Sequence, residues 1–156
     1  MARLSTPGRR RGFALLALLV VVAAMGATLA ATGTIWHEVQ RRAMENELIF
    51  VGLQYRHAIA QYYNATPAHS YPPNIEALLR DERMPSVRRY LRRPYRDPLT
   101  NSATWGVVPA PGGGIMGVFS LAKGRPIKQA NFPMELNWPG QRPSYADWQF
   151  MYVPSG

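Results

Sequence analysis

Residues 9–22 read RRRGFALLALLVVV: three arginines, a glycine and a phenylalanine, then unbroken apolar chain. No charged side chain occurs from residue 12 to residue 36, a run of 25 residues. At 1.5 Å per residue a helix of that length rises about 37 Å, more than the ~30 Å hydrocarbon core of a bilayer. Arg3, Arg9, Arg10 and Arg11 precede the run and no comparable cluster follows it directly. That asymmetry predicts a transmembrane segment with a cytoplasmic N-terminus and the rest of the chain on the far side. Two other readings share the basic start. A cleavable secretory signal has an apolar core of about 7–15 residues, shorter than this one, and Ala27, Thr28, Ala30 and Ala31 make a weak cleavage site. A plain uncleaved anchor is the other. Neither accounts for Gly12 and Phe13 at the junction.

Past Trp36 the helical pattern continues through HEVQRRAMENELIFVGLQYRHAIAQYYN without a proline. Met44, Leu48, Val51, Tyr55, Ala58 and Tyr62 recur at intervals of three and four, which places them on one face of a helix. Glu38 stands four residues before Arg42, a spacing that supports an exposed helical face. Gly52 weakens the pattern, and Asn64 followed by Pro67 ends it. The expected helix therefore runs from residue 13 to about residue 64, apolar all round in its first half and amphipathic in its second.

The rest of the chain is built differently. Most of the 14 prolines and 13 glycines lie beyond residue 67, which predicts short elements joined by turns. Residues 74–81 read as a short helix entered through Pro72 and Pro73. Residues 103–108, 115–121 and 148–153 read as strands, the first two joined by the turn PAPGGG. The expected fold class is thus α+β: a long N-terminal helix, transmembrane in its first half, packed on a small antiparallel sheet.

Charge adds a second theme. The formal net charge is +9, and 16 of the 18 basic residues are arginine. After the leader cluster, a second one runs through Arg80, Arg83, Arg88, Arg89, Arg92, Arg93 and Arg96, relieved by Asp81, Glu82 and Asp97. A solvated, partly ion-paired surface accounts for it, and so does a patch that meets phosphate, anionic lipid or an acidic protein face. Arg88, Arg89, Arg92, Arg93 and Arg96 are the candidate anion-binding residues.

The junction RRRGFALLALLVVVAAMGATLAA resembles the N-terminus of type IV pilins and type II secretion pseudopilins. In that family a basic leader ending in glycine is cut by a prepilin peptidase, and the new N-terminal phenylalanine is methylated. The resemblance implies a leader at 1–12, processing at Gly12 and a mature start at Phe13. It implies a transmembrane half of the helix at 13–36, an amphipathic half at 37–64 and a periplasmic head at 65–156. Phe13, Leu16, Ala17 and Gly26 then belong to the assembly helix, with Gly26, Ala27, Ala30 and Ala31 as a small-residue face for close helix packing. The family usually keeps a glutamate fifth in the mature chain, where this sequence has Ala17. One minor, tip-located pseudopilin also lacks it, so the departure points to a minor, tip-proximal or divergent subunit.

The later segment is similar to the major pseudopilin in the order of Tyr71-Pro72, the stretch 74–79, Tyr90-Leu91, Asp97-Pro98 and GGGIMGVFSLAKG. That protein carries a calcium loop after this strand. Calcium takes six to eight oxygen ligands, several of them carboxylate. SLAKGRPIKQANF has no acidic residue, and Ser120 and Asn131 alone do not make a site. No metal or cofactor is expected.

Nor is an enzyme expected. The chain has no cysteine, which excludes thiolate zinc sites and cysteine nucleophiles. His37, His57 and His69 lack partners at metal spacing, Glu76 and Asp97 form no acid–base pair in sequence, and no serine has a triad context. PGGGIMG lacks the lysine and following helix of a phosphate loop. The expectation is a structural subunit of a secretion or pilus-like filament at the bacterial inner membrane. Its implied partners are prepilin peptidase, other pseudopilins or pilins and the inner-membrane secretion platform. The alternatives are a minor pilin binding nucleic acid through the arginine cluster, or a plain membrane-anchored periplasmic protein.

Overall fold

The structure, a computed structural model, describes residues 8–154, with side chains described for 13–25 and 36–154. One helix, α1, spans Gly8–Asn64. Strands β1 (Gly106–Pro109), β2 (Ile115–Phe119) and β3 (Phe150–Met151) form an antiparallel sheet in the order β1-β2-β3. Three single 3-10 turns, Glu76–Leu78, Met134–Leu136 and Tyr145–Asp147, are set in an otherwise irregular chain. The chain divides into two compact units, Met1–Gln40 and Arg41–Gly156.

The expected fold class, a pilin-like α+β arrangement with a transmembrane first half, needs correction. Among the described residues no helix is long and apolar enough to cross a membrane. In the first unit the described side chains from 13 to 25 are all apolar, and Trp36 and Val39 are apolar and exposed as well. Gly26, Ala27, Ala30 and Ala31, the expected small-residue face, lie outside the described side chains.

The second unit is organised on the part of α1 after Arg41. Leu48, Val51, Tyr55, Ala58 and Tyr62 are buried, joined by Ile49 and Ile59, while Met44 is only half-buried. Opposite them sit Leu78, Leu91, Trp105, Val118, Tyr145, Trp148 and Phe150. Buried aromatic rings remove large apolar areas from water, and here they meet edge-on: Tyr145 on Trp148, Phe132 on Trp148 and Tyr55 on Tyr95.

The helix stops where the sequence withdraws its donors. Pro67 cannot continue it, and His69 turns left-handed at φ 46°. No basic residue stands in the last turn, but Arg83 supplies the missing cation from outside, its Nη2 donating to the Tyr62 carbonyl at 2.8 Å.

The expected short helix at 74–81 contracts to Glu76–Leu78, opened by Asn74 Oδ1 accepting from the Ala77 amide at 2.9 Å. Strand one begins three residues later than expected. Asn101 is left-handed, and the Ser102 hydroxyl accepts from the Thr104 amide, so this stretch is held in turns by its own side chains. The third strand keeps two residues, because Ser144 and Asp147 cap the Tyr145–Asp147 turn immediately ahead of it. Between β1 and β2 the turn closes through the Ala110 amide on the Gly114 carbonyl at 3.0 Å. Gly114 has φ +83°, and a Cβ there would lie 2.8 Å from the Pro72 carbonyl oxygen, so glycine alone fits.

Candidate functional site

Among the described side chains of the first unit, residues 13–25 form a continuous surface. From residue 13 to residue 25 every side chain is apolar and exposed. Phe13 is 75% exposed, Leu16 63% and Met25 62%, with Leu15, Leu18, Leu19, Val20, Val21 and Val22 between those values and about half. An amphipathic helix would hide one stripe of such residues; here they stand on every face. Contiguous apolar surface of this kind marks a place that another apolar surface covers. Ala17 sits within it with no polar atom, so the apolar row is continuous from Leu16 to Leu18. Of the two residues expected to define processing, Phe13 is described and exposed, while Gly12 lies outside the residues whose surroundings are described, as does Gly26.

The second unit carries the arginine cluster on the loop between Asp81 and Asp97. The loop's backbone is pinned: the Asp81 amide donates to the Arg88 carbonyl, and the Tyr90 and Leu91 amides both donate to the Leu78 carbonyl. The Tyr95 amide donates to the Tyr55 hydroxyl. Leu91 is buried between the pairs Arg88-Arg89 and Arg92-Arg93. All five expected anion-binding residues, Arg88, Arg89, Arg92, Arg93 and Arg96, are exposed on this one loop. Arg93 lies over the Tyr95 ring, 5.4 Å from its centroid, and Arg96 Nη1 donates to the Asn101 carbonyl at 2.9 Å.

Three carboxylates in this unit are buried, and each is committed. Arg83 Nε and Nη2 donate to the two oxygens of Asp81 at 2.9 and 2.8 Å, and Tyr90 Oη adds a third side-chain donor at 2.8 Å. The Arg83 hydrogen bonds, opposed by burial, hold Asp81 well below the usual carboxylate range, at about 2. Asp97 accepts from the Ser120 hydroxyl at 2.6 Å and from the Leu99 amide. Glu45 accepts from the Ile127 and Lys128 amides at 2.7 and 2.9 Å and from the Tyr145 hydroxyl at 2.7 Å. Burial, then the Glu45 hydrogen bond, pushes the Tyr145 phenol up to about 12.

Glu45 was missed by the sequence reading, although a signal exists. It stands three residues before Leu48 and seven before Gly52, a core position where an apolar residue is the rule. Its carboxylate ties the segment after β2, the one without acidic residues, to the helix. A carboxylate accepting successive backbone amides is a strong, short tether.

Among the described residues no group of three or more histidine, cysteine, aspartate or glutamate side chains is placed to hold a metal ion. His57 is exposed and meets Glu135 at 2.8 Å, with Arg56 at 3.9 Å from the same oxygen. Glu76 stands in the Glu76–Leu78 turn, and Asp97 is engaged by the Ser120 hydroxyl. Chemically the arrangement offers an apolar face and a guanidinium-rich loop. No protein-family model matches the chain, and neither curated proteins nor solved structures offer a match.

Proposed function

We propose that this chain is a pseudopilin-like structural subunit of a type II secretion or related type IV pilus-like machine, assembling into a periplasmic filament for protein export. The observation that carries the reading is the helix surface at residues 13–25, apolar and exposed on every face. Its cover is assigned to the helices of neighbouring subunits, which pack by van der Waals contact of apolar ridges. Gly12 and Phe13 stand at its start as the processing site for prepilin peptidase. The reading places the chain at the bacterial inner membrane, processed on the cytoplasmic side with its head periplasmic, in contact with the secretion platform and then with other pseudopilins in the filament. Ala17 makes it a minor or divergent subunit, since no carboxylate is available there to meet a neighbour's terminal amine.

The test uses the absence of cysteine. A Leu16→Cys variant is expressed beside a prepilin peptidase, oxidised in the cell and purified, and the disulfide-linked species is weighed by mass spectrometry. The expected product is a cross-linked pair in which this chain begins at methylated Phe13. A monomer that retains the residues ahead of Phe13 overturns the reading.

A further inference from the structure

Residues 80–96 hold seven arginines and two acidic residues besides Asp97 just beyond. Both acids are already used. Asp81 is forked by Arg83 at 2.8 Å, and Glu82 pairs with Arg80 at 3.2 Å. Asp97 is buried against Ser120. Five guanidinium groups are thereby left in a span of nine residues, and none of them makes a salt bridge among the described residues. Two of them, Arg93 and Arg96, line a cleft of about 340 Å³ together with Tyr95 and Glu47, so the cleft lining holds two positive charges against one negative.

We propose that the loop carrying Arg88, Arg89, Arg92, Arg93 and Arg96 is a docking surface for an acidic polypeptide segment of another protein. A guanidinium presents a planar fork of donors that matches a carboxylate bidentately, which a lysine ammonium does not, and the cluster is arginine throughout. The backbone beneath it is fixed by the Leu78, Tyr55 and Asp81 hydrogen bonds. The arginines are therefore displayed on a prepared frame, which lowers the ordering cost of binding.

A second copy of this chain is a poor partner. It brings 18 basic residues against 9 acidic ones, and Glu45, Asp81 and Asp97 are buried. Single-stranded nucleic acid is also a poor match. Binding of that kind stacks bases on open aromatic rings, whereas the Tyr90 ring packs on Tyr62 with its hydroxyl on Asp81, and the Tyr95 ring packs on Tyr55. The inference goes beyond the filament reading and does not depend on it.

Fluorescence anisotropy on the full chain in neutral detergent tests the proposal, with a labelled peptide alternating glutamate and glycine as probe. A labelled single-stranded oligonucleotide and phosphatidylglycerol vesicles serve as comparison ligands. In the R88Q/R89Q/R92Q variant the peptide affinity falls about tenfold, the sum expected of three exposed charge pairs. The charge-matched K123Q/R125Q/K128Q variant stays within about twofold of the parent at the same salt. Equal losses in the two variants would mean that net charge alone binds the peptide, and the proposal fails. It fails too if the peptide does not bind, or if the oligonucleotide or the vesicles bind tighter with the same dependence on the three arginines. Melting of both variants confirms folding, since the substituted arginine side chains are exposed. Loss of peptide binding leaves the Leu16→Cys cross-link untouched, so the two readings fail separately.

Discussion

Arg83 satisfies a helix end and a buried acid with one side chain. Its guanidinium lies 3.5 Å from the centroid of the Tyr62 ring, caps the Tyr62 carbonyl and forks Asp81. Asp81 titrates lower folded than unfolded, because Arg83 and Tyr90 donate to its ionised form. A depressed carboxylate stabilises the fold in full above its unfolded value of about 3.9. That contribution disappears as the pH falls through about 2. Its size is about 2 kcal/mol. Thermal unfolding followed from pH 5 to pH 2 should show the midpoint dropping across that window, and Asp81→Asn should flatten the drop while lowering the midpoint at pH 5. An equally steep acid loss in the variant would place the sensitive group elsewhere. In the sequence Asp81 reads only as relief within a basic run, because a partner two residues away in a turn leaves no periodic trace. The commitment of Glu45 to residues 82 and 83 positions downstream was equally invisible. What could be read was its anomalous place on a core face.

The helix face in the second unit was legible because burial and sequence share one period. Leu48, Val51, Tyr55, Ala58 and Tyr62 are buried where the three-four spacing puts them. The sheet was less so. Its strand ends are set by the hydroxyls of Ser102 and Ser144 and the left-handed Asn101, local hydrogen bonds that compete with any ladder. Gly52 shows how a residue that weakens the helix pattern can be required by its packing. A Cβ at this position would land inside van der Waals contact with the Phe150 ring of β3. Alanine favours a helix over glycine by ~1 kcal/mol, yet overpacking a core costs about 1–3 kcal/mol. Gly52→Ala is therefore expected to lower the urea midpoint, by a net destabilisation of about 1 kcal/mol. Combining it with Phe150→Leu should recover part of that loss, a coupling of at least ~0.5 kcal/mol in a double-mutant cycle. Strict additivity, or a stabilised single variant, would show that the ring moves aside without cost.

At the scale of the whole chain, the apolar run near the start and the folded core occupy different stretches of sequence. Residues 12–36 read in the sequence as a span, and among the described residues no helix is long and apolar enough to cross a membrane. The described run of exposed leucines and valines contributes nothing to the core of Arg41–Gly156. Every residue of that core, from Leu48 to Phe150, lies within the second unit, and so do the Glu45, Asp81 and Asp97 networks. A fragment Arg41–Gly156 should therefore fold by itself. It is expected to melt cooperatively with a midpoint within about 5 °C of the full chain, a shift worth ~1 kcal/mol for a unit of this size. Light scattering should find it monomeric, while the full chain associates when detergent is removed, because the exposed surface at 13–25 is then uncovered. A fragment lacking a cooperative transition would mean that the first unit completes the core. A fragment that still self-associates would move the assembly surface from the helix into the head.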